Sequence, residues 1–175
     1  MKVLVACEFS GRVRDAFTAN GHDAWSCDFY QSARPGQHIV CDVLKVLGDG
    51  WDMMIAHPPC TYLTNAGVRH LHANVVGRAG GRAKVSGAAR FEAMKKAAKF
   101  FNALKEAPIE KIAIENPVPH KYAKELIGQY SQVIHPWQFG HGETKATCLW
   151  LKGLPKLEPT KIVDGRYARV HQMAP

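Results

Sequence analysis

The 175-residue sequence lacks the features of several protein classes. No apolar run reaches the roughly 20 residues that cross a bilayer, and the start is too short and too soon acidic for a signal peptide. We therefore expect neither a membrane span nor a leader. The five cysteines are odd in number and form no Cys-x-x-Cys pair, which argues against a disulfide framework and favours a reducing cytoplasm. The nine histidines are scattered, so we expect no metal site.

Acidic side chains are scarce: 15 Asp and Glu stand against 23 Lys and Arg, giving a formal net charge of +8. The excess is concentrated between positions 69 and 99, where Glu92 is the only acid. A local positive excess suits a polyanion such as nucleic acid, although an ordinary solvated surface has the same composition. The candidate nucleic-acid contacts are Arg69, Arg78, Arg82, Lys84 and Arg90.

A hydrophobic fraction of 46% predicts a globular chain, and the length predicts one domain covering residues 1–175. Apolar runs typical of buried strands alternate with segments of helical period. This alternation predicts an α/β protein with a doubly wound, mostly parallel sheet. Strands are expected at residues 2–7, 23–27, 38–41, 53–56, 111–114, 131–135 and 146–151, and helices at 12–20, 43–47, 90–107 and 121–127.

Two segments show no period. Residues 61–89 contain repeated glycines and a net positive charge. We interpret them as a flexible basic loop beside the active site, or alternatively as an unstructured basic insert. Residues 152–175 are predicted to form an irregular, proline-rich tail.

The fourth predicted strand is followed by Pro58, Pro59 and Cys60. Proline has no N–H for a sheet ladder, so the strand must end there, with the thiol just beyond its carboxyl end. Ligands bind at that edge in open α/β sheets. The fifth predicted strand ends at Glu115 and Asn116, which would bring a carboxylate to the same edge. A buried cysteine with no chemical role is the competing interpretation.

The first three strands each end at an acid: Glu8, Asp28 and Asp42. An acid after the second strand is where α/β nucleotide-binding proteins hold a ribose hydroxyl, although such a residue also caps ordinary turns. The turn at residues 8–11 precedes a helix, whose backbone N–H groups can face a small ligand. Together these features favour a nucleoside-like cofactor.

The pairing of Pro-Pro-Cys at 58–60 with Glu-Asn at 115–116 resembles the cytosine-C5 DNA methyltransferase family, in particular its small bacteriophage-borne members. The turn at 8–11 is similar to that family's Phe-x-Gly-x-Gly turn, and residues 41–43 are similar to its Gly-Asp-Ile. Glu-Thr-Lys at 143–145 is the nearest match to its Gln-x-Arg-x-Arg element. The resemblance implies a Rossmann-like, S-adenosylmethionine-dependent methyltransferase fold with a late antiparallel strand.

The resemblance further implies that S-adenosyl-L-methionine donates a methyl group to C5 of cytosine in DNA. Cys60 would add to C6 and Glu115 would act at N3 and the exocyclic amine. Asn116 would orient the loop, and Lys145 would meet O2 or a phosphate. The implied cofactor-binding residues are Glu8, Phe9, Ser10, Gly11, Asp28, Phe29, Asp42, Val43 and Pro58.

Residues 152–175 are too few to match the separate target-recognition region of full-size members. We therefore expect weak sequence selectivity, or recognition supplied by a partner protein. Two alternatives remain open: the same chemistry on RNA or a free cytosine nucleotide, and a non-catalytic nucleic-acid-binding relative that kept the fold.

Overall fold

The computed structural model describes residues 1–71 and 87–168. The strands are β1 (Lys2–Ala6), β2 (Asp23–Asp28), β3 (His38–Val40), β4 (Met53–Ala56), β5 (Lys111–Pro117), β6 (Gln132–Ile134) and β7 (Thr147–Lys152). The helices are α1 (Arg12–Ala19), α2 (Gly87–Lys105) and α3 (Lys121–Ile127), with 3₁₀ helices at Val43–Lys45, Asn65–Leu71 and Pro136–Gln138.

The strands form one mixed sheet of order β3-β2-β1-β4-β5-β7-β6. The pairs β1–β2, β2–β3, β1–β4 and β4–β5 are parallel, whereas β7 runs antiparallel to both β5 and β6. The α/β class agrees with the sequence, and the doubly wound arrangement of helices stays a prediction. The chain builds outwards from β1 to β3 and then returns to place β4 on the other side of β1. Ligands bind at such a reversal, outside the carboxyl ends of the strands.

Strand β1 forms the centre of the sheet because its side chains suit burial on both faces. Val3, Leu4, Val5 and Ala6 are fully buried, as expected of an uninterrupted apolar strand in a parallel sheet. Helix α2 covers the sheet with the predicted apolar stripe that includes Phe101, whose ring meets Trp150 edge to face at 4.9 Å. Among the described helices, none combines the length and apolarity needed to cross a bilayer.

Strand β5 is longer than expected, because it extends three residues past residues 111–114 to Pro117. Glu115, Asn116 and Pro117 pair with Leu149, Cys148 and Thr147 of β7. Glu115 and Asn116 therefore lie within the strand, not at its end as expected. The antiparallel β7 supplies the backbone partners that keep this stretch extended, and the proline stands in its last pair.

The loop expected at residues 61–89 is partly wrong as well. Leu63 and Leu71 are buried in the core, and residues 65–71 form a 3₁₀ helix. Helix α2 begins at Gly87, earlier than its predicted start at Arg90. Residues 72–86 lie outside the described part. Beyond β7, the described residues are irregular and lie along the β6–β7 connection, with Tyr167 N–H donating to the Gly142 carbonyl at 2.8 Å.

Helix α1 buries an arginine. Arg14 is 1% exposed and its guanidinium bonds to Asp15 at 2.7 Å, to Ser26 Oγ at 3.3 Å, to Ser32 Oγ at 3.1 Å and to the Pro35 carbonyl at 2.7 Å. These partners come from α1, from β2 and from the loop after β2. One buried cation therefore connects three segments, and each nitrogen of its guanidinium donates to an acceptor.

Two glycines make room for this guanidinium. A Cβ on Gly11 would lie 2.6 Å from Arg14 Nη2, and one on Gly36 would lie 2.8 Å from the same atom. Gly11 also has φ of +73°, in the left-handed region. The glycine of the first strand–helix turn therefore has a packing reason to be there.

We expect Arg14→Lys to lower the free energy of unfolding by about 2–4 kcal/mol, because an ammonium cannot reach all the acceptors that the fork meets. Urea denaturation followed by circular dichroism measures this. The matched control is Arg34→Lys, whose exposed side chain lies 3.4 Å from the same Asp15 carboxylate. The control should shift stability by less than about 0.5 kcal/mol. Equal losses in both variants would contradict this role for Arg14.

Candidate functional site

The chain leaves β4 through His57, Pro58 and Pro59 and reaches Cys60, which is half-buried. The Cys60 carbonyl accepts hydrogen bonds from the N–H groups of Leu63 at 3.0 Å and Thr64 at 3.2 Å. The thiol therefore stands at the start of a hydrogen-bonded turn, on a loop whose approach is stiffened by two prolines.

Asn116 fastens this loop to β5. Its side-chain Nδ2 donates to the Pro58 carbonyl at 3.0 Å, and the bond is buried. Strands β4 and β5 are paired with Ala56 opposite Ile114, so the residues just beyond these pairs are level with one another. The predicted neighbourhood of the fourth and fifth strands is confirmed.

Glu115 meets a residue that the sequence analysis did not single out. Glu115 Oε2 lies 3.3 Å from His57 Nδ1, and the two side chains are 27% and 30% exposed. This contact could have been found from the strand register. If β4 and β5 are neighbours that end at Ala56 and Ile114, the next residues, His57 and Glu115, face one another.

A second set of bonds ties the turn after Cys60 to the segment after β5. His120 is 2% exposed, and its Nδ1 accepts from the Ala123 N–H at 3.1 Å while Nε2 lies 3.1 Å from the Tyr62 carbonyl. Burial lowers the pKa of His120; the Tyr62 carbonyl opposes this shift and Arg90 reinforces it. A neutral ring with the proton on Nε2 satisfies both contacts.

Arg90, expected to contact nucleic acid, is buried instead. Its Nη2 donates to the Thr61 carbonyl at 3.0 Å, and its guanidinium lies 5.1 Å from the centre of the Tyr62 ring. The prediction for Arg90 is wrong because the side chain supports the turn from inside. Arg78, Arg82 and Lys84 lie outside the described residues, as does the side chain of Arg69.

A cavity of about 260 Å³ opens at the carboxyl edge of β1, β2 and β4. Four of the predicted cofactor-binding residues line it: Phe9, Asp28, Phe29 and Val43. Helix α2 contributes one side to it through Phe100. Its lining comprises Cys7, Phe9, Cys27, Asp28, Phe29, Tyr30, Cys41, Val43, His57, Pro59 and Phe100.

Aromatic rings that are largely exposed stand at this cavity. Phe9, Phe29 and Tyr30 are 50%, 69% and 72% exposed, and Phe9 meets Tyr30 edge to face at 6.1 Å. Large apolar side chains grouped at the mouth of a cavity are typical of a ligand site.

The interior of the cavity carries neutral thiols. Burial, together with the charges of Asp28 and Asp42, raises the pKa of Cys7 to about 12. Burial and the neighbouring Cys41, whose sulfur lies 3.8 Å away, raise the pKa of Cys27 to about 12. The thiols therefore behave as small apolar groups, and the charge in the lining comes from Asp28.

The other predicted cofactor-binding residues do not line the cavity. Asp42 caps the following 3₁₀ helix, with its carboxylate accepting from the Leu44 N–H at 3.0 Å. Glu8 is buried and accepts a hydrogen bond from Ser10. Gly11 adjoins Arg14, and Pro58 is buried.

Comparison with solved structures finds the crystal structure of a proposed DNA modification methyltransferase encoded within a prophage of E. coli. The two chains are 14% identical and align with a TM-score of 0.53 over 92% of this chain. This chain has an α/β methyltransferase fold. It spans about half of the other protein, 51% of its length. No protein-family model matches the chain, and no curated protein sequence matches it.

Within this methyltransferase fold, Lys145 belongs to the same edge as the cavity and the Cys60 loop. It stands two residues before β7, whose first residue, Thr147, pairs with Pro117 at the end of β5. The edge thus brings together a thiol, a carboxylate–histidine pair, an aromatic cavity and the segment that carries Lys145.

Acid should weaken the turn that holds Cys60. Because the pKa of His120 is lowered in the folded state, its contribution to stability is present above the unfolded value of about 6.5 and is lost as pH falls through the folded value. As the pH falls below about 6.5, protonation of His120 should lower the free energy of unfolding of the wild type by up to about 1.4 kcal/mol per pH unit. We expect His120→Asn, which keeps a helix-capping side chain, to lack this contribution. Urea denaturation between pH 7 and pH 4 provides the measurement.

The control for this experiment is His22→Asn, at the opposite edge of the sheet, where the ring packs against Phe17. Wild type and control should lose stability in parallel as the pH falls. Curves of equal slope for wild type and His120→Asn would contradict the assignment.

Proposed function

We propose that the protein transfers a methyl group from S-adenosyl-L-methionine to C5 of cytosine in DNA, as in the cytosine-C5 DNA methyltransferase family. The observation that carries the proposal is the bond between Asn116 Nδ2 and the Pro58 carbonyl, at 3.0 Å. It holds the Cys60 loop against the strand that bears Glu115, so a nucleophile and an acid share one edge. The methyltransferase fold supports the reaction class.

The cavity fits the nucleoside part of this cofactor. Its volume of about 260 Å³ is slightly below the ~300–1,000 Å³ usual for small-molecule sites, as expected if it takes one part of a larger ligand. Asp28 would accept hydrogen bonds from ribose hydroxyls, and Phe9 and Phe29 would flank a planar base. When bound, S-adenosylmethionine supplies an electrophilic methyl group on a sulfonium sulfur.

Cys60 is the proposed nucleophile. Its sulfur, as thiolate, forms a bond with C6 of cytosine, and the C5–C6 π electrons move towards C5, which becomes nucleophilic. After C5 has been methylated, loss of its proton to a base lets the Cys60–C6 bond break. The sulfur departs with the bonding electrons, and the aromatic ring is restored.

Glu115 is the proposed acid. It delivers a proton to N3 as Cys60 adds, which neutralises the charge that addition places on the ring. The same carboxylate takes the proton back when Cys60 leaves. Asn116 keeps the reacting loop in place through Pro58 and needs no contact with the base.

DNA is the proposed substrate, because the prophage protein of similar fold is described as a DNA modification enzyme. A duplex would have to present its cytosine flipped out of the helix. Lys145 would meet the base or a phosphate, and sequence recognition by a partner protein belongs to the same proposal. The further proposed contacts are Arg69, Arg78, Arg82 and Lys84.

Replacing Cys60 with alanine should lower methyl transfer by at least about a thousandfold, because no other group would bond C6. Transfer of radiolabelled methyl to cytosine-containing duplex DNA measures the rate. Wild type should also form an adduct with 5-fluorocytosine DNA that survives denaturing electrophoresis, and Cys60→Ala should form none.

Glu115→Gln should slow transfer by about 10²–10⁴-fold, whereas its control Glu125→Gln, on the exposed side of α3, should leave the rate unchanged. Single-stranded RNA and cytidine monophosphate serve as competing substrates. Methyl transfer by Cys60→Ala, or a product methylated at an exocyclic amine, would contradict the proposal.

The two ends of β2 provide a matched test of the cofactor site. Asp28 lines the cavity, whereas Asp23 begins the same strand at the opposite edge. Loss of hydrogen bonds from the ribose should make Asp28→Asn bind S-adenosylmethionine about tenfold more weakly by calorimetry. Asp23→Asn should bind as wild type does. Equal affinities in the two variants would place the ribose elsewhere.

A further inference from the structure

His57 stands between the two parts of the candidate site. Its backbone N–H donates to the Ala6 carbonyl at 3.0 Å, which fixes it where β1 and β4 lie side by side. His57 is one of the residues that line the cavity, and its Nδ1 lies 3.3 Å from Glu115 Oε2. No other residue that lines the cavity has a described contact with Glu115.

The chemistry of the two ring nitrogens follows from this position. If the proton of the proposed acid is on Oε1, Glu115 Oε2 can only accept a hydrogen bond, and His57 Nδ1–H is the donor to it. In the neutral ring, Nε2 is then an acceptor. This Nε2 is buried and has no hydrogen-bond partner among the described residues. A buried polar atom without a partner is unfavourable and needs an explanation; because His57 lines the cavity, a bound ligand is the candidate partner.

We propose that His57 is a positioning residue with two hydrogen bonds, an inference that rests on the proposed function. Through Nδ1 it holds Glu115 by Oε2, which leaves Oε1 to exchange the proton with N3 of cytosine. Through Nε2 it accepts a hydrogen bond from a hydroxyl or ammonium group of the cavity ligand. A ligand in the cavity therefore restricts the orientation of the His57 ring, and the ring in turn restricts the orientation of the Glu115 carboxyl group.

Two amide variants separate the two bonds. The Nδ2 of asparagine stands near the position of Nδ1, so His57→Asn keeps a donor for Glu115 and loses the group facing the ligand. The longer His57→Gln reaches the position of Nε2 and loses the Nδ1 donor. His57→Phe keeps a planar ring and loses both bonds. His22→Asn, at the opposite edge of the sheet, is the control.

Two measurements do not require methyl transfer. Release of tritium from DNA labelled at cytosine C5, without cofactor, reports addition of Cys60 and action of Glu115. Calorimetry with S-adenosylmethionine reports the cavity. We expect His57→Gln to lower the exchange rate about 100-fold and change the cofactor Kd by less than about threefold. His57→Asn should keep exchange within about fivefold of wild type and weaken cofactor binding about tenfold.

His57→Phe should lose both properties, and its unfolding midpoint in urea shows whether the fold is intact. If exchange and affinity fall together in all three variants, in proportion to lost stability, His57 acts by packing alone and the inference is overturned. Unchanged exchange and affinity in His57→Phe would overturn it as well.

Failure of the proposed function has a different signature. A wild-type protein that neither releases tritium nor transfers methyl groups would contradict the proposed reaction. The comparison of cofactor affinity between His57→Asn and His57→Gln would still test the bond at Nε2. Equal affinities in those two variants would overturn that half of the inference independently.

Discussion

One buried hydrogen bond fastens the start of the Cys60 loop to β5: the amide of Asn116 donates to the Pro58 carbonyl. Pro58 and Pro59 have no N–H groups, so backbone pairing with β5 cannot continue beyond β4. The side chain of Asn116 instead holds the loop from the neighbouring strand, by donating to the Pro58 carbonyl. In a buried setting, a lost hydrogen bond is not replaced by water, so the loop has one favoured position. The bond thereby helps to fix the placement of Cys60 relative to Glu115, together with the contacts that Arg90 and His120 make with the turn.

The part of the site that the sequence predicts is the part set by local pattern. An apolar run closed by two prolines has few options other than a buried strand that ends there, and β4 spans Met53–Ala56 as expected. Its pairing with β5 follows from the usual winding of α/β chains and is confirmed. Cys60 and Glu115 could be assigned to one edge by that reasoning alone. Their chemical roles stay predictions.

The features that sequence analysis missed depend on distant partners. Arginines are ordinarily exposed, yet Arg14 and Arg90 are buried because acceptors from other segments surround them. The length of β5 depends on β7, which arrives thirty residues later in the chain. The contact of His57 with Glu115 depends on the register of β4 against β5, which the sequence does not state directly. In each case a tertiary contact overrides a local tendency.

Three hydrogen bonds that surround the candidate site join residues 58 positions apart. Parallel strands cannot pair through a tight turn, so the chain must form the α2 crossover before any of these bonds can close. Closing contacts of such long range costs chain entropy, which slows the folding of proteins that depend on them. A nascent chain therefore carries the thiol well before it carries the groups that align it, and the site assembles only in the completed fold. The joined pairs are His57 with Glu115, Pro58 with Asn116, and Tyr62 with His120.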